Sequence, residues 1–290
     1  MYPMIRSNRS KEKMEPVVKQ ERYGELEYLT FPELSKQKFI RHLFTTRTGG
    51  VSVGDCATLN LSFSRGDDPE AVLENYRRIC TVLHTTPEHV VASVQTHTTT
   101  IRRVTGNDLG KGVIRPVDYQ DVDGLITDEP GIALACFYAD CVPLYFADPV
   151  NRVIGLAHSG WRGTVERMGA HMVRRMQEEF GSKPEDLITA IGPSICRDCY
   201  EVSEDVALRF RQQFPHSDVV TDGREEGKYQ LDLWLANQLV LLDAGITDDH
   251  ISVTDVCTCH NPGYLFSHRA SHGRRGNLAA FLMIKEDEQL

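Results

Sequence analysis

Val153-Ile154-Gly155-Leu156-Ala157-His158-Ser159-Gly160-Trp161-Arg162-Gly163-Thr164 decides how the fold is read. The first half is a short apolar run, the pattern of a buried strand. Glycines then punctuate the chain, and from Val165 the apolar period changes. Val165, Met168, Met172, Val173, Met176 and Phe180 fall on one helical face that ends before Gly181. A strand turning through glycine into an amphipathic helix is a building unit of α/β proteins. The helical period recurs after Asp67-Asp68-Pro69, where Val72, Leu73, Tyr76, Ile79, Cys80 and Leu83 share a face. It returns at 232–244, opened by a capping aspartate and closed by Gly245. The methionine stripe at this spacing reads as core packing. Other strands are expected at 89–95, 131–137, 187–191, 251–256 and 278–284. Several lack strict alternation, as strands covered on both faces do. The pattern is that of an α/β protein with a mixed sheet arrangement.

No Ser/Gly linker, low-complexity tract or fixed-period repeat divides the 290 residues. The expectation is one catalytic domain, 25–290, behind a flexible lead-in, 1–24, with an acidic tail fraying from Lys285. A net charge of −9 leaves no broad basic footprint for nucleic acid and favours a small ligand. No apolar run approaches the roughly 18 residues that span a bilayer. The stretch from Met1 to Tyr23 has no apolar signal-peptide core, so a cytoplasmic location is expected. There the eight cysteines read as free thiols or metal ligands rather than disulfides. The oligomeric state is left open, and a homo-oligomer is compatible with this composition.

Three expected strands end alike. One runs Val90-Val91-Ala92-Ser93-Val94-Gln95-Thr96-His97, one runs from Ile132 to Tyr138-Ala139-Asp140-Cys141, and one ends at His158. In α/β sheets ligand sites gather beyond the carboxyl ends of strands. Two imidazoles and a thiolate suit zinc, and three protein ligands leave a fourth position open, as a catalytic zinc requires. Copper also fits these donors on softness, but a redox site of this kind usually adds a weak axial Met, and these segments contain none. A histidine at a strand end is also commonly a hydrogen-bonding or core residue, and no local metal spacing links the three.

The glycines of 157–164, followed by a helix start, could hold an anion, with Arg162 adding a bidentate contact; a plain strand-to-helix turn is the competing reading. Arg47 sits in a second glycine loop, Thr45 to Ser52. A third basic cluster holds Arg269, His272, Arg274 and Arg275. Three such loops are compatible with one anion-binding pocket. Cys196-Arg197-Asp198-Cys199 and Cys257-Thr258-Cys259-His260 form a rival metal cluster. Its second cysteine pair is one residue apart rather than the usual two to four, and ordinary packing is the favoured reading.

Taken together, Thr46-Arg47-Thr48-Gly49-Gly50-Val51-Ser52, Thr58-Leu59-Asn60-Leu61, Gln95-Thr96-His97, Asp121-Val122-Asp123-Gly124-Leu125 and Ala139-Asp140-Cys141-Val142-Pro143 form a distinctive series. It continues through the 157–163 stretch, Ile191-Gly192-Pro193-Ser194-Ile195, Cys199-Tyr200-Glu201-Val202 and Phe266-Ser267-His268-Arg269 to Gly273-Arg274. With it the chain resembles the YfiH family, also called the laccase-domain or multicopper polyphenol oxidase family. The resemblance implies a layered α-β-β-α sandwich and a metal, zinc in preference to copper, held by His97, Cys141 and His158. It also implies phosphorolysis of adenosine, inosine, guanosine or methylthioadenosine, with adenosine deamination as a second reaction. The partners would then be nucleoside and phosphate. Asp140 and Arg162 are the candidate catalytic residues, and Arg47, Asn60, Arg269 and Arg274 the candidate substrate contacts. Arg162 and Arg47 would hold anionic oxygens; Asp140 is either an acid/base or a structural hydrogen-bond partner. Two departures stand out: Ala270 follows Arg269 where relatives often carry a second Arg, and Cys259 is additional. The competing activities are copper-dependent polyphenol oxidation and a cysteine hydrolase using Cys141 with His158 as base.

Overall fold

The computed structural model describes residues 3–7 and 16–286. The chain opens with β1 (Lys19–Tyr23), β2 (Leu26–Thr30), the short helix α1 (Pro32–Ser35) and β3 (Ile40–Thr45). Then come α2 (Pro69–Leu83), β4 (Val90–Ala92), β5 (Ile101–Arg103), β6 (Gly124–Thr127) and β7 (Ala133–Tyr138). The middle holds β8 (Val142–Asp148), β9 (Val153–Ser159), α3 (Trp161–Val165), α4 (Met168–Phe180) and β10 (Ile188–Ile191). After these follow β11 (Glu201–Ser203), α5 (Glu204–Gln213), β12 (Val220–Asp222), β13 (Lys228–Leu231) and α6 (Leu233–Asp243). Last are β14 (Ile251–Val253), α7 (His268–Ser271) and β15 (Leu278–Ile284).

One six-stranded sheet runs β1-β2-β3-β15-β7-β4 and a second runs β14-β10-β8-β9-β6-β5, with a small β11-β13-β12 sheet beside them. Most pairs are antiparallel, but β4–β7, β5–β6 and β10–β14 are parallel. Three separate interiors make the layering plain. Between the sheets lie Leu134, Cys136 and Tyr138 of β7 with Tyr145, Ile154 and Leu156. Behind the first sheet, Val72, Tyr76 and Ile79 of α2 meet Ala133, Ala279 and Phe281. Behind the second, Met168, Met172 and Met176 of α4 pack with Ile126, Phe146 and Leu241. Strand β15 shows why its sequence lacks alternation: Leu278, Ala280 and Leu282 face the other sheet while Ala279, Phe281 and Met283 face α2. The arrangement is α-β-β-α, as the resemblance implied.

The structure corrects several sequence-based boundaries. The helix expected from Val165 is broken, because Arg167 takes a left-handed conformation (φ 62°) between α3 and α4. Strand β8 carries Pro143, a residue that argues against a strand in sequence; here its register partner is His158 on β9. The lead-in expected up to residue 24 already contains β1, paired along its length with β2, and Arg6 forms an ion pair with the buried Asp255. Residues 8–15 and the tail beyond 286 lie outside the described residues. Among the described residues no helix is long and apolar enough to cross a membrane.

Candidate active site

The chain changes sheets at the site. Strand β7 belongs to the first sheet and β8 to the second, so Ala139-Asp140-Cys141 must cross between them in three residues. Asp140 makes the turn with φ 89°, a conformation uncommon for a residue with a side chain and tolerated best by Asp and Asn. Its carboxylate is held on both oxygens: Thr258 Oγ1 donates to one at 2.6 Å and the Arg269 backbone N–H to the other at 2.7 Å. Cys141 follows directly. His158 comes from β9, and His97 from the loop after β4, also in the left-handed region at φ 68°.

The donor atoms of His97, Cys141 and His158 all lie within 4.8 Å of one another, and the two imidazoles meet edge to face at 4.9 Å. Asp123, fully buried, organises both histidines. It accepts His158 Nδ1 at 2.8 Å and the backbone N–H groups of Thr96, His97 and Thr98 at 3.0–3.1 Å. With Nδ1 turned to Asp123, His158 keeps Nε2 as its remaining donor atom, the usual arrangement behind a metal-bound histidine. Burial alone would push the Cys141 thiol up, but the charge and hydrogen bond of His158, with a further bond from His97, bring it down to about 6. Burial opposes charge on His158 too, yet Cys141 and Asp123 raise it to about 9. Burial likewise works against the Asp123 carboxylate, and His158 outweighs it and lowers its pKa. The cluster therefore favours a thiolate, the form that binds metal.

Gly160 packs directly against the triad and leaves no room for a side chain. A Cβ there would stand 2.9 Å from His97 Cδ2, 3.1 Å from Cys141 Sγ and 3.6 Å from His158 Cε1. One side-chain carbon would touch all three donors' residues. Two imidazoles and a thiolate gathered this closely fit zinc well.

The triad borders two cavities. The larger, about 620 Å³, reaches from the triad to Arg65, Gln95 and Asn277; the smaller, about 280 Å³, is walled by Asp140, Tyr200, His268 and Arg269. Arg275 lines both. Its Nε is buried and finds no hydrogen-bond partner among the described residues, while one terminal nitrogen donates to Asn277 Oδ1. Burial, reinforced by the neighbouring Arg65, lowers its pKa to about 10, so it stays cationic at neutral pH.

Residues 41–285 match the family described as multi-copper polyphenol oxidoreductase laccase. The chain belongs to this laccase-domain family. It is 40% identical over 245 residues to purine nucleoside phosphorylase YlmD of Geobacillus stearothermophilus, covering 84% of this chain and 89% of that protein. To purine nucleoside phosphorylase YlmD of Bacillus subtilis it is 37% identical over 244 residues, covering 84% and 88%. The crystal structure of the Geobacillus YlmD superposes with a TM-score of 0.86 at 37% identity, over 93% of this chain and all of that one.

Against this frame the laccase-domain chain distributes its sequence-predicted residues unevenly. His97, Cys141, His158, Asp140 and Arg269 converge. Four others do not, and each has a local reason. Arg47 donates Nε and Nη2 to the Ala57 carbonyl and Nη1 to the Pro262 carbonyl, clamping one loop to another. Asn60 is fully buried, and its amide bonds Ser62, Asp67 and Asn277. Arg274 faces outward to Asp55 with its side chain 78% exposed. Arg162 is exposed and lies over the Trp161 ring, 4.4 Å from its centroid. Of the two readings of the glycine loop, the geometry follows the plain strand-to-helix turn: α3 is five residues long and its N-cap, Gly160, packs onto the triad. Sequence reasoning gave no role to Asp123, and it named Arg275 only as one member of a basic cluster compatible with an anion-binding pocket. Each lay inside a segment already singled out, but nothing in their spacing told which carboxylate or which of several arginines turns inward.

Proposed function

We propose that this laccase-domain chain is a zinc-dependent purine nucleoside phosphorylase acting on adenosine, inosine, guanosine and methylthioadenosine, with adenosine deamination as a second activity. The observation that carries the reading is the His97–Cys141–His158 triad opening onto a cavity of about 620 Å³ beside the half-buried Arg275 guanidinium. That volume lies in the range of small-molecule sites. The names of the relatives supply the substrate class. Zinc is preferred to copper because no methionine lines either cavity to act as an axial donor. When bound, the metal supplies a Lewis-acidic positive charge facing the substrate.

The chain's own groups have distinct tasks. Arg275, with Arg65 behind it, offers charge to orthophosphate; Arg65 donates to the Gly273 and Arg275 carbonyls and braces that segment. Phosphate oxygen bonds to the anomeric carbon as the glycosidic C–N bond breaks, and the purine leaves with the electron pair and takes up a proton. Asp123 fixes the His158 ring. Asp140, with both oxygens occupied, positions Cys141 rather than serving as acid or base. Arg269 spans the far wall, donating to the Cys199 and Glu201 carbonyls. The deamination reading finds no H-x-E or P-C-x-x-C signature in the sequence and so requires another layout.

Inosine incubated with orthophosphate should yield hypoxanthine and ribose 1-phosphate in equal amounts, and adenosine should also yield inosine. If metal-loaded protein forms no ribose 1-phosphate from any of the four nucleosides, the phosphorylase reading falls. Arg275→Met should raise KM for phosphate about tenfold or more, the cost of a lost charge-assisted contact, with a smaller change in KM for inosine. A second reading rests on one specific alignment: Asp123, His158 and Cys141 also form the order of a thiol nucleophile, its base and the base's orienter. Acyl hydrolysis by protein without stoichiometric metal, stopped by iodoacetamide, would favour that reading.

A further inference from the structure

We propose that the chain holds a second, structural metal ion, of the zinc type, bound by Cys196, Cys199, Cys257 and His260. The four donor atoms lie within 4.8 Å of one another, a separate group from the His97 triad. Three thiols and one imidazole are a closed structural zinc set. The spacing is also right once the correct partner is chosen. Cys257 and His260 are separated by two residues, as are Cys196 and Cys199. Cys259, whose adjacency made the sequence pattern look irregular, is not a member of the group.

The fold explains the convergence. Strands β10 and β14 are parallel neighbours, and their pairing continues past the carboxyl ends of both. Thr254 N–H donates to the Ile191 carbonyl, Thr258 N–H to the Ser194 carbonyl, and Ser194 and Cys257 form a bridge. Two loops leaving the sheet side by side thus each present a two-donor knuckle. Within the first, the Cys199 and Tyr200 N–H groups turn back to the Cys196 carbonyl. Between them, the Cys196 N–H donates to Cys257 Sγ at 3.2 Å, and Cys196 Sγ lies 3.7 Å from His260 Nδ1. Cys196 and Cys257 are buried in the interior behind the second sheet, as Cys80 and Cys136 are in theirs, but only the former have further sulfur and imidazole donors gathered beside them.

The site has a consequence for the first one. The first knuckle's loop donates Ile195 N–H to the Asp140 carbonyl, and the second donates Thr258 Oγ1 to the Asp140 carboxylate. The wall residue Arg269 also binds the Cys199 carbonyl. A metal joining the knuckles therefore holds the wall that positions Cys141, whatever the reaction.

The test is metal content of the full chain, grown with added zinc and purified under reducing conditions. Wild type should carry two zinc ions per chain, His97→Ala/His158→Ala one, and His260→Ala one. His260→Ala should also lower kcat/KM about tenfold, the lower bound for losing an outer support of a metal site. A wild type with one zinc, lost on removing the His97 triad, overturns the proposal. Should His260→Ala fail to fold, the His97→Ala/His158→Ala protein loaded with cobalt(II) decides. A strong thiolate-to-cobalt charge-transfer band from a three-thiolate tetrahedral site supports the proposal, and its absence refutes it. Alkylation of native wild type should spare Cys196, Cys199 and Cys257 until chelator is added. A mass deficit from a disulfide among these cysteines also rules the site out.

Discussion

Gly160 is the residue on which the first metal site is most easily tested. Its φ is −70°, so alanine meets no backbone strain, only the missing space. Gly160→Ala places a methyl against His97 and Cys141 and should cost about 1–3 kcal/mol in overpacking, with loss of the first metal and of turnover. Metal analysis beside circular dichroism checks this: native secondary structure with one metal fewer is the expected outcome. His42 gives the pH prediction. It is buried on β3, accepts the Phe31 N–H at Nε2, and burial brings its pKa down from 6.5 to about 4. The unfolded chain therefore binds the proton more readily, and stability falls as pH drops from about 6.5 to about 4. The full effect is of order 3 kcal/mol below that window. Urea unfolding of wild type and His42→Gln across it should show a shallower acid slope in the variant.

At the scale of elements, β15 is the hinge of the packing argument because its two faces belong to different interiors. Phe281 points at α2, its ring 6.3 Å from Tyr76 and nearly perpendicular to it. Phe281→Ala should destabilise by about 3–5 kcal/mol, whereas Leu208→Ala on the exposed side of α5 should stay within about 0.5 kcal/mol. Chemical denaturation of the pair measures the difference. Sequence reading found β15, β9 and the face of α2 because their apolar residues are consecutive or regularly spaced, and it bounded α6 by its capping Asp232 and terminating Gly245. It missed β1, where Lys19, Gln20, Glu21 and Arg22 form an edge strand with no buried run. It ran α3 into α4 because the left-handed Arg167 that divides them carries no turn signature.

For the molecule as a whole, the amino-terminal segment reaches across to the loop after β14. Arg6 pairs with Asp255, which is fully buried, and donates to the Val18 carbonyl, while Asn261 bonds the Ile5 backbone in both directions. Arg6→Ala leaves a buried carboxylate without its cation and should cost about 3 kcal/mol. Thermal unfolding should show this, with Arg6→Ala/Asp255→Asn recovering part of the loss. Composition and periodicity were sufficient for the α/β class, the methionine-lined core of α4 and the position of Cys141 and His158 at strand ends, because each is a property of neighbouring residues; His97, expected at a strand end, lies in the loop past β4. Which arginine faces the cavity, which carboxylate carries His158, and which residue completes the second cysteine cluster were decided only in three dimensions. Arg47, Arg274 and Arg275 are alike as sequence. Their roles separate because hydrogen-bond partners up to 215 residues away capture the first, solvent and Asp55 take the second, and the third lines both cavities at the site.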